Sequence, residues 1–534
     1  MTVEYDNDGA LPRAAQDGAP VTPTGVVDEE AFQELIQKRA QSLLALASYV
    51  SQCEHPKDCF TRPLLGELLS QAMQLEELLD TYDAGKNCRW CVLRRLTATI
   101  KLFSDVSYEL LHIRHRVPSY RLLQVDRDFV AATDETLEFT GGVVVRAARD
   151  MLSRAAELQL TVPSDQDVDG TYAEELPRGR LANDCGARRV DAVGETVALL
   201  ATGFLNLASE SQDVRAASRT RPEEYALCAG ASLTEGKLRS LEFRFHNLQS
   251  QYDTRVSGTE AEHEDPGLPS LRGHASVVFH LLKTATLFAH YYERHLNKKA
   301  CAGEPEVHFL VEPTALLSRL MTYSITFIDQ YIGCAVSLCQ EMLKRYAEVG
   351  RITVAIPKYR GFHVRPSTLI SKLVLHYGSK VQMLMADEVY DASSALDLFR
   401  ANEKINAQKR RWLAQEIVRL QLVPENEASE DVVSTVRRVV LTLAQESDLV
   451  MYEQPLELPE QMNCADSPLL EKVIYESGRL LAMGKIDIAI DMTAQFVGDK
   501  RVLADIRLLA EHGYGEDSFG NNIALPSKLA YLRR

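Results

Sequence analysis

From Glu29 to about Val162, apolar residues recur at helical spacing. Phe32, Leu35, Ile36, Leu43 and Leu44 mark one helix, Leu64 to Leu79 a second and Trp90 to Leu111 a third. Pro56 and Pro63 punctuate the first connection and Gly85 the second. The pattern predicts a helical bundle over 29–162. Residues 1–28 precede it, rich in Asp, Gly, Pro and Thr without periodicity, and are expected to lack fixed structure. The polar, Gly- and Pro-bearing stretch 163–187 reads as a linker. A second helical domain is expected over 188–348, interrupted by the acidic loop Val256–Pro269 and closing in a long helix from Pro313 to Ala347.

Past Gly350 the period changes from helical to alternating. Arg351–Pro357 is β-branched and alternates, so it predicts a strand. His363–Gly378 predicts a helix, with Pro366 in the first turn and Gly378 at the position just past the end. Lys380–Met385 is a strand, Ala386–Glu388 a turn and Val389–Asp391 a return strand. Ser393 or Ser394 can cap a helix running from Ala395 to Glu416. Arg419–Val423 is a further strand candidate, and Ser429 can cap a last helix over 430–445. The fold class expected is mainly α with one α+β domain: helical bundles flanking a βαββαβα open-faced sandwich over 351–447. A linker over 448–466 and a helical C-terminal segment with a docking tail over 467–534 complete the organisation.

The chemistry concentrates at the start of the 363–378 helix. A histidine there is well placed to accept a phosphate, because the first-turn N–H groups lack helical partners and the helix end is positive. Arg365 can clamp the phosphate oxygens with its guanidinium. Gly361 leaves room for a partner to approach the imidazole, and Pro366 occupies a position whose N–H is dispensable.

Gly361-Phe-His-Val-Arg-Pro-Ser367 resembles the active-site signature of the HPr phosphocarrier proteins of the bacterial sugar phosphotransferase system. Asp391-Ala-Ser-Ser-Ala395 is similar to that family's regulatory-serine region, with Ser394 at the matching separation from His363. The resemblance implies a cytoplasmic bacterial phosphocarrier in a regulatory branch. His363 would be the phosphate acceptor, Arg365 the clamp, and Gly361, Pro366 and Ser367 their support. Ser394 would be a second phosphosite, open to an HPr kinase. The implied partners are an enzyme I-like phosphodonor and a downstream acceptor or regulatory target, signalling through the helical domains. The Ala395–Glu416 helix departs from the family, which has a short helix and a glycine-bearing loop there. The other reading is a non-catalytic interaction protein that keeps a degenerate HPr fold for docking.

Composition narrows the remaining classes. The 534 residues are 46% apolar and 25% charged, with a net charge of −16, which argues against a general nucleic-acid binder. No apolar run reads as a membrane span, and the first twenty residues have neither the basic start nor the apolar core of a signal peptide, so cytoplasmic placement is expected, with the ten cysteines reduced. Cys53, Cys59, Cys88 and Cys91 read as buried or incidental thiols at opposite ends of a helix, not a metal site. The histidines between His274 and His295 read as satisfied core imidazoles, and Glu109-x-x-His112 as a solvated helix end. With no phosphate-binding glycine loop, hydrolase elbow or zincin motif, neither a kinase site nor a metal or other cofactor is expected.

Overall fold

The computed structural model describes residues 25–163, 172–174, 181, 193–296, 310–423, 431–446, 449–452, 456, 467–517 and 519–533. Most of the expected N-terminal segment 1–28 and of the linkers 163–187 and 448–466 lies outside the described residues.

The first bundle comprises helices Glu29–Arg39, Gln41–Ser51, Arg62–Thr81, Cys91–Arg116 and Phe129–Glu157. Asp28, Thr61 and Asp128 each accept a first-turn amide through the side chain, which is why three of these helices begin where they do. The single helix expected through Leu44 is two, parted at Ala40. Helices Val193–Glu210, Glu235–Arg255, Gly267–Tyr291 and Thr326–Arg345 follow. The two helical regions, expected as separate domains, share one apolar core. Phe103 packs edge-on to Tyr291, and Phe129 lies against Phe327 and Tyr331.

Two further expectations need correction. Glu109 is buried, not at a solvated helix end: Nδ1 of His280 lies 2.7 Å and Nζ of Lys283 2.5 Å from its carboxylate oxygens. Burial opposes its charge, but these two partners outweigh it and bring its pKa down to about 2. Cys53 and Cys59 are joined in a disulfide across the Pro56–Cys59 turn, while Cys88 is exposed and Cys91 buried. Among the described residues, no helix is long and apolar enough to cross a membrane, and no cluster of three His, Cys, Asp or Glu could hold a metal ion.

The sheet begins where the Thr326–Arg345 helix ends. Strands β1 (Val349–Ala355), β2 (Val381–Met385) and β3 (Glu388–Asp391) fall where the alternation predicts, and the helix Val364–Tyr377 stands between β1 and β2. Gly378 closes that helix at φ +62°. Ala386 and Asp387, both at positive φ, form the tight β2–β3 turn. The expected strand Arg419–Val423 does not form. The helix Asn402–Arg419 ends there, with Gln421 in the left-handed conformation and the Leu422 N–H bonded to the Ile417 carbonyl at 3.2 Å.

The remaining inner strand comes from far along the chain. After β4 (Leu449–Met451) and β5 (Ile486–Ile488), which pair with each other, β6 (Thr493–Asp499) enters antiparallel between β1 and β2, giving the order β1-β6-β2-β3. Phe496 lies opposite both Ile352 and Met383, and Met383 opposite Tyr390. These side chains are buried on one face. The helices Val364–Tyr377, Ala395–Arg400 and Lys500–Glu511 pack together, the last of them against β1 and β6.

The stretch expected as one helix, 395–416, is divided at Ala401. From Asn402 to about Met492 the chain makes an excursion whose outer part has its own core of Leu413, Ile417, Val436, Val440, Val473 and Ile488. The helix expected over 430–445 exists as Val432–Glu446, but it packs in this second core. The sheet therefore does not close within 351–447. The segments expected as a linker over 448–466 and a helical end over 467–534 contain strands β4, β5 and β6.

The sheet region docks on the helices through polar caps. Gln340 donates to the carbonyls of Leu375 and His376 at 3.1 and 3.2 Å. The His376 ring stacks on Tyr531 at 4.1 Å between centroids, with Nε2 3.1 Å from Asn206 Oδ1. Burial lowers the His376 pKa from 6.5 to about 4. The folded state thus favours the neutral ring, and the associated stability is present above pH 6.5 and lost as pH falls toward 4. The loss should reach about 3 kcal/mol at most. Thermal unfolding of the wild type should drop over that window more steeply than that of His376→Phe. Equal drops would exclude the ring as the cause.

Candidate functional site

The site is built on the approach to the Val364–Tyr377 helix. Arg360 and Gly361 are both left-handed, at φ +55°. Gly361 has no alternative: a Cβ there would lie 2.4 Å from Asn402 Oδ1 in addition to the unfavourable φ. Arg360 carries a Cβ in a region L-residues disfavour, so something must hold it. Asp487 does so, accepting the Arg360 N–H on one oxygen while the other takes the Ile488 N–H at 2.7 Å and Lys409 Nζ at 2.5 Å. Lys409 is fully buried, and burial pushes its pKa down despite Asp487. The Arg360 guanidinium lies over the Tyr452 ring at 4.3 Å. The excursion 402–492 therefore braces the turn that presents the histidine.

His363 is the N-cap residue of the helix. Its Nδ1 lies 3.2 Å from the Gly361 carbonyl oxygen, and its Nε2 lies 3.2 Å from Oε2 of Glu516. Arg365, at the second helical position, donates from Nη1 to the same Glu516 oxygen at 2.9 Å and to the Gly520 carbonyl at 2.8 Å. Pro366 is buried in the first turn, and the Ser367 hydroxyl donates to the Phe362 carbonyl at 2.7 Å. Ser367 thus locks the turn from beneath. Behind it, the buried Phe362 ring meets Tyr514 edge-on, and the Tyr514 hydroxyl donates to the Ala355 carbonyl at 2.6 Å. An imidazole nitrogen and a guanidinium at the start of a helix thus meet on one carboxylate oxygen.

Ser394 stands apart from this convergence. It caps the Ala395–Arg400 helix, its Oγ accepting the Asp397 N–H at 3.2 Å, while Asp397 in turn accepts the Asp391 N–H at 2.9 Å. It has no described contact with His363 or Arg365. A phosphate on Ser394 would meet the carboxylates of Asp391 and Asp397.

His363, Arg365, Gly361, Pro366 and Ser367 are brought together. Glu516, Gly520, Asp487 and Lys409 were not anticipated. Glu516 follows a Gly513-Tyr-Gly515 turn signal and precedes Gly520-Asn-Asn, so the sequence marks a turn there, but nothing local says which surface it covers. Asp487 is a lone carboxylate between Ile486 and Ile488, and Lys409 lies in the basic run Lys-Arg-Arg411, which reads as an exposed helix face, whereas the structure buries it. The site stands on its geometry: no family model, curated protein or solved structure matches this chain.

Proposed function

We propose that this protein is a phosphohistidine acceptor of the phosphotransferase type, phosphorylated on His363 and signalling its state through the attached helices. The observation that carries this reading is the meeting of His363 Nε2 and Arg365 Nη1 on one carboxylate oxygen at a helix start. A site that holds a carboxylate oxygen between these groups can hold a phosphoryl oxygen there by the same charge-assisted contacts. Further support comes from the element order. With 402–492 set aside, the chain runs β-α-β-β-α-β-α around an antiparallel sheet with its helices packed together, the arrangement the resemblance to HPr implies.

The step exchanges one P–N bond for another. The phosphoryl group leaves a ring nitrogen of an enzyme I-like donor, a P–N bond forms at His363, and the proton displaced from the His363 ring passes to the donor ring. Arg365 neutralises the oxygens during transfer. A downstream protein then takes the group or reads it, and Ser394 remains the second phosphosite in this reading, with an HPr kinase as its partner. Transfer from phosphoenolpyruvate through enzyme I should place an acid-labile, base-stable label on the wild type and none on His363→Ala. Arg365→Ala should label at least about tenfold more slowly, the size of a lost charge-assisted contact. Undiminished label on His363→Ala would end the assignment.

One observation favours the other reading, a docking module. The His363 side chain is only 22% exposed, covered by the turn that bears Glu516. Absence of label from the cognate enzyme I would select it.

A further inference from the structure

The phosphoryl subsite of the proposed reaction already has an anion in it. We infer that Glu516 is an internal stand-in for the phosphoryl group: its carboxylate and a phosphate on His363 exclude each other, so the turn bearing Glu516 opens for phosphorylation and is held open by it. This inference rests on the acceptor reading above and adds its regulation.

Several observations carry it. Glu516 spends one oxygen on both site residues, 3.2 Å from His363 Nε2 and 2.9 Å from Arg365 Nη1, and its side chain is 8% exposed. A donor must bring phosphorus to bonding distance of the ring, and Arg365 must face the incoming oxygens. Neither happens while Glu516 and the Gly520 carbonyl hold the guanidinium. A phosphoryl group carries close to two negative charges at neutral pH, so a carboxylate beside it in a half-buried site is strongly repelled.

The turn is also built to move as a unit. Asp517 accepts the amides of Phe519 and Asn521 at 2.9 and 2.8 Å and the Asn521 side chain at 3.0 Å, hydrogen bonds made within the turn itself. It is anchored on both sides: before it, Tyr514 is buried on Ala355, and after it, Leu529 and Leu532 are buried in the main core. Gly515, at φ +79°, takes the left-handed conformation that turns the chain into Glu516. Its outer side carries Phe519, 67% exposed. The following segment continues to Tyr531, which stacks on His376 beside Asn206 of the Val193–Glu210 helix. The turn is thus joined by a short segment to the helical region.

The test uses the full-length protein and phosphoramidate, a small donor that needs no docking partner. Its P–N bond breaks as the His363 P–N bond forms, and ammonia leaves with the proton from the ring. Rates of His363 labelling would be compared for wild type, Glu516→Gln and Glu516→Ala, with His363→Ala as control and thermal unfolding as the check on folding. Glu516→Ala should label on the order of tenfold faster than wild type, with Glu516→Gln between them. Amide hydrogen exchange over 513–525 should accelerate several-fold both in Glu516→Ala and in phosphorylated wild type. Equal labelling rates in all three folded proteins, or slower labelling in Glu516→Ala, would overturn the inference and leave the acceptor reading intact. Phosphorylated wild type with unchanged exchange would overturn it also. No label on His363 in any variant would remove the acceptor reading, and this inference with it.

Discussion

Replacing Asp487 by Ala should destabilise the protein by about 3–5 kcal/mol, the usual effect of leaving a buried charge without its partner. Lys409 is fully buried, and in the variant its ammonium would face an apolar surround. The same carboxylate accepts the Arg360 and Ile488 amides, so two backbone donors would lose their acceptor as well. The consequence reaches the site, because Arg360 and Gly361 hold left-handed conformations immediately before His363. If His363 is the acceptor proposed above, its labelling should therefore fall in the variant even at temperatures where the protein remains folded. Pairing Asp487→Asn with Lys409→Met should recover much of the stability, since the buried charge is then gone. A denaturant midpoint for Asp487→Ala close to the wild-type value would show that the brace is dispensable.

Phe496→Ala should cost a similar amount, about 3–5 kcal/mol, as expected for truncating a fully buried aromatic ring. Phe496 sits in the strand between β1 and β2, opposite Ile352 on one side and Met383 on the other. The loss removes packing from both neighbouring strands at once. By contrast, Leu420→Ala, in the stretch 419–423 that alternates like a strand, should change stability little, because Leu420 follows a helix end and is only partly buried. If Leu420→Ala were the more damaging of the two in equilibrium unfolding, the strand assignment would be wrong.

These two cases separate what the sequence makes legible from what it does not. The start of the site helix is a local matter. His363 before Val-Arg-Pro, Gly378 after the last turn and Ser394 before Ala-Leu-Asp each act within one helical turn, so their chemistry can be read from neighbours a few residues away. The helical bundles are legible for the same reason, since the period of burial repeats every turn. The residues of the acceptor signature needed no tertiary information to be grouped, because they are contiguous in the chain.

The strand β6, the brace and the anion at the site are of another kind. Arg419–Val423 and Thr493–Asp499 carry similar alternation, and only the second finds partners, across more than a hundred residues from β1 and β2. Alternation says that a segment can be a strand, not which edges are free to receive it. The excursion 402–492 hides the continuity of the sheet, and its own core makes it read as the end of the domain. Glu516 reaches His363 from 153 positions along the chain, a distance at which only folding decides contact. The sequence by itself thus determined most of the helical segments, the first three strands and the grouping of the residues that resemble the HPr signature. The tertiary structure alone decided the inner strand, the buried pair that braces the turn and the carboxylate in the anion site, because hydrogen-bond pairing and ion pairing between distant segments depend on where the whole chain brings them together.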